Sequence, residues 1–161
     1  MNEHALDRFF RDRRVAILSI PRDGRSPLSA PVWYEYDGKR FRVQVEATSA
    51  KARAFAKAGT LPVSLAVQSE IPPYRYAVVH GPATLGENEA GLRRRLARRY
   101  FGRVAGDLYV AEEVKKGVDD AALRLLEIVP ERTVAHDFHP EAGVFGRLWF
   151  GIHRRLWPTP A

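Results

Sequence analysis

At 161 residues and 18.2 kDa, with 45% hydrophobic and 28% charged residues, the chain has the balance of one globular domain and excludes a disordered or membrane-embedded one. It contains no cysteine, which excludes disulfides, thiolate nucleophiles and cysteine-ligated clusters, so any redox chemistry has to come from a cofactor. A formal charge of +7 and a pI near 10.0 favour anionic partners, among which a phosphorylated cofactor, nucleic acid and an anionic membrane stay open.

Residues 1–14 are charged and lack the apolar centre of a signal peptide, and no apolar run reaches membrane-span length; the expectation is a cytoplasmic protein without a membrane span. Leu6, Phe9 and Phe10 have helical spacing, and the apolar run 15–20 ends at Pro21, which reads as helix then strand. Asp23-Gly24 and Asp37-Gly38 are hairpin-turn dipeptides bracketing a strand over 28–36. Beyond the second, Phe41, Val43 and Val45 alternate with Arg42, Gln44 and Glu46, the pattern of a half-buried strand. The first half is therefore expected to be a three-stranded meander.

Ser49 is placed to cap a helix reaching about Ala58, stopped by Gly59. Strands are expected over 63–68 and 76–85, the second interrupted by Gly81-Pro82, a pair suited to a bulge or edge. Leu92, Leu96 and Tyr100 recur every four residues and predict a helix over 87–100, with another near 107–116. Two final strands, 123–129 and 132–138, are separated at Pro130. Many antiparallel strands with helices inserted at two points predict a mainly-β barrel domain over 1–142, because closing a sheet removes its exposed edges. Residues 143–161 form an aromatic and basic extension carrying Phe145, Trp149, Phe150 and Trp157.

The segment Glu46 to Arg53 is the most informative chemically. A helix N-terminus is the positive end of the macrodipole and favours acidic side chains, yet this one supplies Lys51 and Arg53 and no carboxylate after the cap. A bound anion would resolve the conflict, held by backbone N–H groups, the Thr48 and Ser49 hydroxyls and the two cations. A capped surface helix with solvated basic residues accounts for the same charges.

The order of these features is strand, Asp-Gly turn, strand, Ser49-Ala50-Lys51 at a helix start, Val63-Ser64-Leu65-Ala66-Val67, then a strand running from Tyr74 to Ala83 through Gly81-Pro82. It resembles the pyridoxamine 5'-phosphate oxidase-like superfamily, whose fold is an antiparallel split β-barrel. The resemblance spans roughly residues 15–85, with a looser echo in the last strands. It implies a homodimer with a flavin or deazaflavin at its interface. By position, Ser49, Ala50 and Lys51 would hold the phosphate, with Thr48 and Arg53 beside them. Gln44 and Val45 would line the ring from one strand, Pro31, Val32 and Trp33 from its neighbour, and Tyr76 would come from the partner subunit.

FMN-binding members often carry arginine immediately before the lysine, where this chain has Ala50, and residues 153–161 lack the pyridoxal-recognising ending of true pyridoxamine-phosphate oxidases. Relatives with this pattern use the deazaflavin coenzyme F420. The resemblance thus implies an F420- or FMN-dependent oxidoreductase moving hydride to or from a small organic substrate, with no catalytic side chain singled out because the cofactor carries the chemistry. The alternative on the same fold is a non-catalytic carrier of flavin, deazaflavin or haem.

Other constellations are weaker. His136, Asp137 and His139 are close in sequence, but adjacent strand residues face opposite sides and no third ligand is identifiable, so no metal site is expected. Arg93, Arg94, Arg95, Arg98 and Arg99 are expected on the solvent side of the helix bearing Leu92 and Leu96. Without a reading helix or RNA-binding motif, no nucleic-acid partner is expected. P-loop, Rossmann and nucleophile-elbow motifs are absent.

Overall fold

The computed structural model describes residues 1–56, 58–70, 74–138, 143–144, 148 and 151–152. The expected extension 143–161 and His139 therefore lie largely outside the described residues. Helix α1 (Glu3–Arg11) is capped by the Asn2 side chain, which accepts from the Ala5 amide at 2.9 Å, and it buries Phe9 and Phe10. Strands β1 (Ala16–Ile20) and β2 (Leu28–Val32) form a hairpin, as do β3 (Glu35–Tyr36) and β4 (Phe41–Glu46). The glycines of their connections, Gly24 and Gly38, have φ of 62° and 101°. Then follow α2 (Ala50–Phe55), β5 (Thr60–Gln68), β6 (Arg75–Glu87), α3 (Leu92–Phe101), α4 (Arg103–Lys115), one 3-10 turn (Asp120–Ala122), β7 (Leu123–Ile128) and β8 (Arg132–Asp137).

The strands form one antiparallel sheet in the order β2-β1-β5-β6-β7-β4-β3, with β8 also paired to β6. The expected meander is corrected here. Residues 28–36 are not one strand: the chain leaves β2 at Val32, and Trp33-Tyr34 carries it to β3 at the opposite end of the strand order. Those two residues close the curled sheet covalently where no ladder does. Tyr34 is fully buried there, its hydroxyl donating to the Phe10 carbonyl at 3.0 Å.

Period-two alternation places Ala16, Leu18 and Ile20, Phe41, Val43 and Val45, Val63, Leu65 and Val67, and Ala77 and Val79 on the inner face, all buried. Phe10 packs edge-on against Phe41 at 4.9 Å, so α1 plugs the open end of the core.

Gly81-Pro82 does not sit at a bulge or edge: β6 is a central strand paired to β5 without a break from Thr60↔Thr84 to Gln68↔Tyr76. On its other side β6 exchanges β8, which begins at Arg132 opposite His80, for β7, which ends at Ile128 opposite Ala83. The Pro82 carbonyl accepts from the Val129 amide at 3.0 Å, and since a strand residue's N–H and C=O point the same way, the proline nitrogen falls at this exchange rather than in the β5 ladder. A Cβ on Gly81 would lie 2.0 Å from the Val129 carbonyl oxygen. Strand β6 also runs through Glu87, paired to Arg124, where a helix was expected to begin.

On the outer face one row crosses five strands in register: Pro31↔Ile17↔Ala66↔Val78↔Val134. Every member is apolar, and Ile17 and Val134 are 41% and 40% exposed. The neighbouring row is polar, with Ser19 bonded to Ser29 at 2.8 Å and Ser64 to His80 at 3.1 Å. Among the described residues no helix is long and apolar enough to cross a membrane.

Candidate functional site

A cavity of about 540 Å³ lies between the end of β2, the second half of β4, the start of α2 and the α3–α4 hairpin. From the sequence-designated residues it brings together Pro31, Val32, Trp33, Gln44, Val45, Ser49 and Lys51. Thr48, Ala50, Arg53 and Tyr76 do not line it. The Arg53 guanidinium turns back onto the Thr48 carbonyl, tying the strand-to-helix corner together. Tyr76 stands on the outer face of β6, opposite His136 of β8, with ring centroids 6.0 Å apart.

Ser49 caps α2, its hydroxyl oxygen accepting from the Ala52 amide at 3.2 Å, which leaves the hydroxyl hydrogen free to donate. The first turn carries no carboxylate, and Lys51 has no ion-pair partner among the described residues. The Gln44 side-chain N–H₂ donates to Asn88 Oδ1 at 2.9 Å, and Asn88 reaches the Asp120 carbonyl at 3.4 Å, so the amide's orientation is fixed from behind.

The other wall was not legible as part of a site: Arg93 and Leu96 of α3, Tyr109 and Glu113 of α4, and Val118 and Leu123 beyond them. Trp33 joins the two walls. Its indole stacks on Tyr100 at 4.9 Å and 10°, with Phe101 at 5.0 Å and Tyr109 at 5.7 Å. It is therefore packed against the α3–α4 hairpin rather than left on an open sheet face. Tyr100 in turn accepts from the Tyr34 amide at 3.1 Å and donates to the Arg14 carbonyl at 2.7 Å. Burial raises the Tyr100 phenol above the ordinary tyrosine range, so it remains a donor at any physiological pH.

The arginines of α3 are not a free solvated stripe. Arg95 grips Glu35 through Nε at 2.8 Å and Nη2 at 3.0 Å, and Arg98 grips Asp107 at 2.8 Å through both nitrogens. Arg99 donates to the carbonyls of Phe10 and Asp12 at 3.2 and 2.6 Å. Arg93, expected to be exposed, is buried.

Among solved structures, a conserved hypothetical protein of Mycobacterium tuberculosis superposes with a TM-score of 0.67 at 20% identity, over 86% of each chain. A putative pyridoxamine 5'-phosphate oxidase from Listeria innocua follows at 0.60 and 15%, over 83% of this chain and 96% of that one. A protein described as an F420 reductase superposes at 0.57 and 16%, over 80% and 94%. The chain has the split-barrel fold. No family model and no curated protein matches it. The α3–α4 hairpin gives this cavity its aromatic and charged far side.

Proposed function

We propose that the chain is a homodimeric oxidoreductase that binds the phosphate of a flavin or deazaflavin beside Lys51, the deazaflavin F420 ahead of FMN. One observation carries the reading: seven of the family-designated residues, Pro31, Val32, Trp33, Gln44, Val45, Ser49 and Lys51, line a single cavity, and that lysine has no ion-pair partner among the described residues. The residues suit such a group. Lys51 and the Ser49 hydroxyl supply charge and a donor for phosphate, while Pro31, Val32, Trp33 and Val45 supply flat apolar surface for a ring system. Arg53 supports the corner through Thr48. When bound, the cofactor supplies hydride transfer; the chain's own task is to orient it, exclude water and admit the substrate.

The dimer is supported by the apolar row across β2, β1, β5, β6 and β8, since a contiguous exposed apolar strip suits a self-complementary contact. Pro31 belongs to both that row and the cavity wall, so a second copy seated there would border the site and could present its Tyr76.

Absorbance and fluorescence titrations of the purified protein with FMN, F420 and haem test the reading. Saturable flavin or F420 binding, followed by hydride transfer to an enone or quinone, is the expected result. Binding without turnover on any acceptor points to the carrier alternative, and no binding of either cofactor overturns the proposal.

A further inference from the structure

Arg93 and Leu96 are three residues apart on α3 and share the face that closes the cavity. Arg93 is the one buried charged side chain among the described residues, at 7% exposure. Its Nη1 and Nη2 both donate to the Val118 carbonyl at 2.7 Å, and the Asp120 carboxylate is 3.8 Å away, beyond hydrogen-bond range and 60% exposed. A guanidinium has more N–H donors than one carbonyl oxygen accepts, and a dehydrated cation without a hydrogen-bonded counter-charge is costly.

The contrast within the same helix sharpens the point. Arg95 and Arg98, 41% and 39% exposed at the side chain, each hold a carboxylate through two nitrogens. The arginine turned into the cavity, where such a partner is needed most, has none at bonding distance. The cavity's own carboxylates do not serve it: Glu113 pairs with Lys116 at 3.0 Å, and neither Glu113 nor Glu46 forms an ion pair with Arg93. Trp33, Leu96, Tyr109 and Leu123 give the same cavity apolar surface.

We infer that Arg93 recognises the carboxylate of a small planar organic acid that binds against the α3–α4 wall, on the substrate side of the cavity. The Val118 carbonyl clamps the guanidinium in place, so the remaining donors are oriented before the ligand arrives, and a planar fork suits a carboxylate. This rests on reading the cavity as the ligand site, and it adds a specificity residue on an element remote from Lys51.

The test is a calorimetric titration of benzoate against its neutral analogue benzamide, on wild type and on Arg93→Gln and Arg93→Lys, with folding of each variant checked by circular dichroism. Benzoate should bind wild type at least about ten-fold more tightly than benzamide, Arg93→Gln should bring the two within about two-fold, and Arg93→Lys should keep part of the preference. An arginine that only clamps Val118 would lower the melting temperature of its variants and leave the benzoate-to-benzamide ratio unmoved, which overturns the inference. So does equal binding of the pair to wild type, a comparison that needs no variant. Titrating FMN and F420 in the same samples separates the two readings. Benzoate preference without binding of either cofactor sinks the cofactor assignment alone, and binding of either without benzoate preference sinks this inference alone.

Discussion

Tyr100→Phe isolates the hydrogen bonds that hold the Trp33 wall. The substitution keeps the ring, and with it the stack on Trp33 at 4.9 Å, while deleting the acceptor for the Tyr34 amide at 3.1 Å and the donor to the Arg14 carbonyl at 2.7 Å. Tyr34 is fully buried, so its N–H has no ready replacement from water. Leaving such a donor unpaired costs about 1–3 kcal/mol. With the weaker loss at Arg14 included, the variant should be about 2 kcal/mol less stable. For a chain of this size that lowers the melting temperature by roughly 4–8 °C. Urea unfolding followed by circular dichroism measures the free energy, and tryptophan fluorescence reports whether the indole environment is kept. A loss below about 0.5 kcal/mol would refute the argument that this hydroxyl holds the β2–β3 crossover in place.

Gly81→Ala should destabilise by about 3 kcal/mol or more in the same assay, because the added carbon would meet the Val129 carbonyl at 2.0 Å and force apart the bonds from Val129 to Pro82 and from Glu131 to His80; a loss under about 1 kcal/mol would contradict the close approach. Burial raises the Asp37 pKa, but the Arg40 and Lys39 amides and the Arg42 guanidinium outweigh it and leave the carboxyl below its ordinary 3.8. A depressed carboxyl stabilises the fold above its unfolded value and loses that contribution as pH falls through the folded one. Asp37→Asn should therefore be less stable than wild type at pH 7, with the gap closing below about pH 4; a gap that widens on acidification would reverse the sign. Ile17→Glu should stay folded yet sediment as a monomer at micromolar concentration, and an unchanged dimer would place the interface elsewhere than the apolar row.

Local patterns read well where one face is buried. The alternation Phe41-Arg42-Val43-Gln44-Val45 is visible in any window of the sequence, and it predicts both the strand and the side on which Gln44 lies. Ser49 was identifiable as a cap from its position before Ala50-Lys51-Ala52, and it caps α2, although the helix ends at Phe55 rather than near Ala58. The strand 28–36 misled because Leu28 to Tyr36 is uniformly compatible with extended structure. What splits it is tertiary: Tyr34 is drawn into the core by Phe10, and Trp33 onto Tyr100. Likewise Gly81-Pro82 looks like a breaker locally, and its tolerance in a central strand depends on β7 and β8 meeting opposite it, information held in residues 128–132. Arg93 shows the same limit for the site. In sequence it is one of a run of arginines, and nothing in that run says that Val118, rather than solvent, lies over it. The near wall of the cavity was therefore legible through motif order, and the far wall was not.

The central claim is that the corner bearing Lys51 anchors a cofactor phosphate, and the most direct measurement is the dissociation constant of F420 for wild type, Lys51→Ala and Arg53→Ala. Losing one charge-assisted contact costs about 1.5–3 kcal/mol, so Lys51→Ala should bind roughly ten- to a hundred-fold more weakly, while Arg53→Ala, whose guanidinium is spent on the Thr48 carbonyl, should change affinity less. An unchanged constant for a folded Lys51→Ala protein would contradict the account.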